Sequence, residues 1–263
     1  MNRLIEHCPG WSIGAQSEHP INFYVDSECL NAKAGELNVA YLIEPEEVIR
    51  DGFYSRIIEK KHLFKYILTD KEVILKNCAN AVLFEYGTAW IQKNLHPKKI
   101  HGISTIIGFK NTIEGHQLRH SVWRHRDFIQ TPHFFYGSYH GGPASENNDL
   151  IIHEKNRDQL FKYEFQIVIE NKRTDYWFTE KLCDCFASRV VPIYYGAKRI
   201  SDYFDTRGMI IANDLAGIIR ACNSIKESTY SEMLPYIDEN EQRVKKYFKL
   251  GDRVTQKLKE LFG

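Results

Sequence analysis

The sequence predicts an α/β protein of two halves facing one another across a cleft, and three observations predict it. Apolar runs of about five residues, the length of a buried strand, alternate with segments of helical spacing along the 263-residue chain. The run at 165–169 leads through a polar loop to a helix opened by Thr179-Glu180-Lys181, then to a second run at 190–194 that stops at Gly196. That is one βαβ unit, the building block of a parallel sheet. Between about Pro132 and Asn148 the sequence turns to loop, punctuated by Gly141-Gly142-Pro143. The connection between the halves is placed there, giving domains 1–140 and 141–263.

In the first half, 39–43 (Val-Ala-Tyr-Leu-Ile) reads as a buried strand, 64–68 as another with a helix start at Thr69-Asp70, and 81–84 as a third. Residues 102–109 are a further strand. Residues 114–128 have helical spacing, with Leu118, Val122 and Trp123 on or near one face. In the second half the alternation repeats: a strand at 165–169, a helix at 179–188, strands at 190–194 and 209–211, and a helix at 215–225. The charged tail 238–262 keeps Val244, Phe248, Val254, Leu258 and Leu261 at spacings that suit one or two amphipathic helices closing the second domain.

Composition narrows the function. An apolar content of 43% fills two cores, and a formal charge of +1 gives no global pull toward nucleic acid or an anionic membrane. No apolar run approaches the roughly 20 residues of a spanning helix, and residues 1–7 lack a signal-peptide core. The expectation is a soluble, cytoplasmic protein of bacterial or viral origin. The six cysteines are scattered in apolar contexts, as reduced core thiols are. Cys183 and Cys185, two apart on a helix, face different sides and make a poor zinc or redox pair.

Chemistry concentrates in the βαβ unit, because ligands of open α/β sheets bind beyond the carboxyl ends of the strands. A helix N-terminus near Thr179 offers unpaired N–H groups to a diphosphate, and Lys181 adds a full charge. Glu180 would repel phosphate but suits ribose hydroxyls. The alternative is a capped helix start and nothing more. Asn171 is either a turn residue or a ligand contact; Glu170, a carboxylate ending an apolar run, needs a specific partner. Tyr176 and Trp177 either stack on a base or sugar or pack.

The stretch resembles the α-1,3-fucosyltransferase family (glycosyltransferase family 10). Its C-terminal domain carries a Phe-Glu-Asn strand end, an aromatic-Val-Thr-Glu-Lys helix start and a Val-Pro-Ile/Val-aromatic-Gly strand. The counterparts here are Glu170-Asn171, Trp177-Phe178-Thr179-Glu180-Lys181 and Val191-Pro192-Ile193-Tyr194-Tyr195-Gly196, with the family's spacing from Asn171 to Glu180. The resemblance covers about residues 160–212. It implies a GT-B-like fold of two Rossmann-like domains, the first on the acceptor side and the second binding the nucleotide sugar, usually GDP-fucose. It also implies donor contacts from Asn171, Trp177, Glu180 and Lys181. The family usually has Tyr where Trp177 stands, so Tyr176 is the alternative ring.

The resemblance implies two further residues. A donor-phosphate arginine at a helix start is matched best by Arg119 in Gly115-His116-Gln117-Leu118-Arg119, with Arg124 and Arg126 as neighbouring basic residues. A catalytic base following a strand of the first domain is matched by Glu44, after 39–43 and before Pro45, with Glu46 and Glu47 close by. The expected function is inverting transfer of a sugar, L-fucose from GDP-fucose, to a glycan hydroxyl. No metal and no cofactor is expected, the GDP-sugar being a co-substrate.

Five of the eleven histidines (His116, His120, His125, His133, His140) fall in one stretch, and His116 and His120 share a helix face. Without a Glu inside an HExxH pattern or a third ligand, they read as a cleft lining that meets phosphate or acceptor. The basic stretch lacks the surrounding charge and motif of nucleic-acid binding. Two rivals stand beside the transferase: the same fold with another UDP- or GDP-linked sugar, and a non-catalytic glycan- or nucleotide-binding module. A dinucleotide dehydrogenase is opposed by the lack of a G-x-G-x-x-G after any strand. Acceptor, linkage and oligomeric state leave no signal.

Overall fold

The computed structural model describes residues 4–138, 140–143, 151–152 and 154–263, with backbone alone for 151–152 and 154–156. The chain forms two compact units. One comprises Met1–Thr88, Asp175–Trp177 and Lys249–Gly263; the other comprises Ala89–Thr174 and Phe178–Phe248.

The first unit is a five-stranded parallel sheet in the order β1-β2-β3-β4-β5: β1 Ile5–His7, β2 Asn22–Val25, β3 Asn38–Leu42, β4 Tyr66–Thr69 and β5 Ala81–Leu83. Alternation along the strands splits its interior into two cores. Phe23, Val39, Tyr41 and Leu68 face one way, while Tyr24, Ala40, Leu42 and Ile67 face the other. Helices α1 (Glu46–Ile49), α2 (Phe53–Glu59) and α3 (Glu72–Asn77) follow β3 and β4, and Phe53, Ile57 and Ile74 fill the second core.

The second unit is a six-stranded parallel sheet: β6 Ile100–Ile107, β7 His133–Ser138, β8 Ile151–Ile152, β9 Tyr163–Ile169, β10 Val191–Tyr195 and β11 Ile210–Ile211. The order is β11-β10-β9-β6-β7-β8, so the chain builds outward from β6 to β8 and then returns to lay β9 against the other side of β6. Its helices are α4 (Glu114–Arg124), α5 (Glu180–Ala187), α6 (Leu215–Ser224) and α7 (Thr229–Val244). α4 packs with α6 and α5 with α7.

Three expectations are corrected here. The first break between units falls after Thr88, not near residue 140, because β6 and β7 hydrogen-bond in the same sheet as β9 and β10. The aromatic run His133-Phe134-Phe135-Tyr136-Gly137-Ser138, expected as loop, is strand β7. The tail also divides. α8 (Leu250–Phe262) does not close the second unit: its Val254 and Leu258 lie in the first unit's core with Phe23, Tyr41 and Phe84.

Candidate functional site

Between β6 and β9 the chain leaves the second sheet in opposite directions, and a crevice opens there beyond the carboxyl ends of the strands. A cavity of about 320 Å³ occupies this place. Gly108, Phe109 and Lys110 line it from the loop after β6, and His116, Arg119 and His120 from α4. Asn171 lines it from beyond β9, and Glu180, Lys181 and Asp184 from α5.

The approach of α4 to β9 is possible because position 115 is glycine. A Cβ there would lie 1.9 Å from the Glu170 carbonyl oxygen, and the Gly115 N–H donates to the Asn171 carbonyl at 3.0 Å. One turn later Arg119 donates from Nε and Nη2 to the Ile169 carbonyl (3.0 and 2.5 Å) and from Nη2 to Asn171 Oδ1 (2.7 Å). Two residues separated widely in sequence are thus one unit. Burial lowers the Arg119 pKa to about 10 against the opposing pull of Glu170 and Glu180, which leaves the guanidinium charged at neutral pH. His116 is driven to about 4, first by burial and then by the charges of Arg119, Lys110 and Lys181, so its imidazole is neutral. With its proton on Nε2, His120 donates to the Gly108 carbonyl at 3.0 Å.

At the start of α5, Glu170 is wholly buried and accepts from the Thr179 N–H and Thr179 Oγ1, both at 2.8 Å. This is the partner that a carboxylate ending an apolar run requires. Burial raises the Glu170 pKa, against the pull of Lys181 at 3.9 Å. Lys181 Nζ donates to Thr179 Oγ1 (3.1 Å) and Glu180 Oε1 (3.0 Å). Burial would raise the Glu180 pKa, but Lys181, the residue's own N–H and Arg157 outweigh it and hold the carboxyl below its usual range.

The expectation that backbone N–H groups near Thr179 await a diphosphate is corrected by this arrangement. The Thr179 N–H is taken by Glu170, the Lys181 N–H by Thr179 Oγ1 and the Leu182 N–H by the Thr179 carbonyl. An anion would meet side chains here: Lys181, Arg119, Lys110 and neutral His116.

Tyr176 and Trp177 lie outside this lining. They belong to the segment that packs with the first unit, where Trp177 is buried and the Lys71 ammonium stands 5.3 Å from its ring. Arg124 donates to Ser121 Oγ and Arg126 stacks on Trp123, so among these three arginines Arg119 is the one in the cavity.

In the first unit Glu44 sits at a bend beyond β3, half-buried. Its N–H and that of Ile43 donate to Asp26 Oδ1 (3.2 and 2.7 Å), and its carbonyl accepts from the Tyr54 hydroxyl at 3.0 Å. Asp26 holds this place with a left-handed φ of 48°, and burial pushes its pKa to about 6. Glu46 is engaged differently, its Oε1 accepting the Tyr54 N–H at the start of α2. Glu47 is exposed.

Sequence reasoning missed Lys110, Arg157, Trp90 and Asp184, all in the lining. The Arg157 guanidinium lies 3.4 Å from the Trp90 ring centre. Nothing local marks these residues, since only tertiary structure brings 90, 157 and 184 together. Among the described residues no three His, Cys, Asp or Glu side chains are grouped to hold a metal ion, and no helix is long and apolar enough to cross a membrane.

Residues 138–260 match the sequence profile described as glycosyltransferase family 10 (fucosyltransferase), C-terminal. Over those residues, a little under half of the chain, the sequence is similar to that family. The chain is 28% identical over 99 residues to the alpha-(1,3)-fucosyltransferase FucT of Helicobacter pylori, covering 35% of this chain and 21% of that protein. The chain thus spans about a fifth of the length of that curated relative in the match. A crystal structure of α1,3-fucosyltransferase with GDP-fucose superposes with a TM-score of 0.54 at 15% identity, covering 81% of this chain and 68% of that one. The OtsA apo structure gives 0.61 at 10% identity, covering 92% and 73%. At such identities the likeness shows the fold, two parallel-sheet α/β units of GT-B type. β6, α4 and most of β7, with Gly115 and Arg119, precede the family 10 match.

Proposed function

We propose that the protein is an inverting glycosyltransferase that moves L-fucose from GDP-fucose to a glycan hydroxyl. The observation that carries the reading is the pairing of Arg119 and Lys181 with Asn171 and Glu180 around one cavity at the reversal of the second sheet. Two fixed cations suit a diphosphate and stabilise the charge that grows on it as it leaves. Glu180, held ionised, accepts from ribose hydroxyls. The family 10 match over 138–260 and the GDP-fucose in a structure of the same fold support guanosine diphosphate as the carrier.

In this reading the acceptor oxygen attacks the sugar's anomeric carbon while the bond to the β-phosphate oxygen breaks, and that oxygen keeps the electron pair. Glu44 takes the acceptor proton, with its backbone fixed by Asp26 and Tyr54. Arg119 and Lys181 fill the role that a divalent cation fills in metal-dependent transferases, and transfer should survive EDTA. Calorimetry with GDP, UDP and NAD tests the donor assignment: GDP should bind tightest. Equal or tighter UDP binding removes GDP-fucose and leaves another nucleotide sugar; failure of both nucleotides removes the transferase.

A further inference from the structure

The cavity continues past the diphosphate-facing cations to a carboxylate the proposed chemistry leaves unused. Asp184 lies one helical turn beyond Glu180, about 6 Å along α5. It is 3% exposed and lines the cavity. Its Oδ1 accepts the N–H groups of Trp90 and Ile91 at 2.9 and 3.0 Å. Its Oδ2 has no hydrogen-bond partner among the described residues. That second oxygen is left to accept from a ligand that brings N–H donors into the cavity.

The surroundings fit a flat heterocycle. Leu160 and Phe161 give apolar wall, and the half-exposed Trp90 ring is backed by the Arg157 guanidinium. Such surfaces hold bases by stacking.

We propose that Asp184 reads the nucleotide's base and selects guanine through its adjacent N1–H and N2–H donors. The proposal rests on the nucleoside-diphosphate reading above: with Glu180 at the ribose, the next turn of α5 is where the base follows. Guanine alone among the common bases presents two neighbouring N–H donors. Uracil and adenine set an acceptor beside the donor, and a carboxylate repels it. A site built to satisfy a polar group discriminates strongly against analogues that lack it.

The experiment is calorimetry of GDP, IDP and UDP on the full chain and on Asp184→Asn, above the pH of about 7 to which burial raises the Asp184 carboxyl, so that it is ionised. IDP lacks only the 2-amino donor, and the Asn amide oxygen still accepts from Trp90 and Ile91. The parent should bind GDP at least about ten-fold tighter than IDP. Asp184→Asn should weaken both, because both bases keep N1–H, but GDP the more, so that the ratio of GDP to IDP affinity falls toward one. A parent that prefers GDP to UDP yet binds GDP and IDP equally, or a variant that keeps the parent's GDP to IDP ratio, overturns the base-reading role and leaves the donor assignment standing. Equal loss of GDP and IDP in the variant makes Asp184 a packing residue and overturns it too. A parent that prefers UDP overturns both.

Discussion

The two units use the same architecture, a parallel sheet with helices, yet they arm their carboxyl ends differently. The first sheet runs β1-β2-β3-β4-β5 without reversal, and its strand ends carry carboxylates: Asp26 after β2, Glu44 after β3 and Asp70 after β4. The second sheet reverses between β6 and β9, opens a cavity there, and arms it with Arg119, Lys181, Lys110 and Arg157. Strand order decides where a crevice can form, and the residues after each strand decide what enters it. One end suits accepting a proton, the other holding an anion.

The sharpest way to break this contrast is Glu44→Gln, which keeps shape but accepts no proton. Transfer should fall about 10²- to 10⁴-fold, with GDP binding unchanged. A variant that turns over like the parent moves the base elsewhere, and Glu47→Gln is the comparison because Glu46 caps a helix.

A second experiment uses a device the units share, a buried aspartate holding two loop N–H groups. Burial pushes Asp26 to about 6 and Asp184 to about 7, with those N–H bonds opposing. The unfolded chain ionises both near 3.8. Between about pH 4 and these values the folded chain keeps protons that the unfolded chain has lost. Stability therefore falls as pH rises through the window and levels off above it. The loss is on the order of 3 kcal/mol for Asp26 and on the order of 4 kcal/mol for Asp184. Urea unfolding at several pH values should show this fall, and Asp26→Asn and Asp184→Asn should each flatten it. A profile that rises over the same range contradicts the assignment.

The smallest expected effect is on binding. Lys181→Ala should weaken GDP binding by about 2 kcal/mol, some 30-fold, as loss of a charge-assisted contact does. Arg119→Ala should weaken it similarly and lower the melting temperature as well, because the Ile169 carbonyl loses its donors. Normal GDP binding in both variants places the diphosphate outside this cavity.

The strands at 39–43, 165–169 and 190–194 were legible because buried parallel strands are continuous apolar runs, and the structure differs there by a residue or two. β7 was hidden because Gly141-Gly142-Pro143 dominated the reading of an aromatic run that itself has high strand propensity. The tail's apolar spacing showed that α8 buries a face and not which core it enters. Within the site, Glu170, Asn171, Glu180 and Lys181 announced themselves through one short motif. Asp184 sits in the same helix, but between Cys183 and Cys185 nothing in the local sequence marks it. Only the amides of residues 90 and 91, far away in sequence, give it meaning.

The return of α8 makes the second unit an insertion within the first, in two segments separated by Asp175–Trp177. As the chain is synthesised, the second unit can finish before Val254 and Leu258 exist to cover Tyr41 and Phe84. Until then the first unit carries an open apolar face. A folded insert brings Thr88 and Lys249 to fixed positions and spares the first unit the entropy of closing a long flexible loop. Destabilising the second unit should therefore slow completion of the first. Truncation before Leu250 should leave the cavity of the second unit intact and yet expose an aggregation-prone sheet in the first.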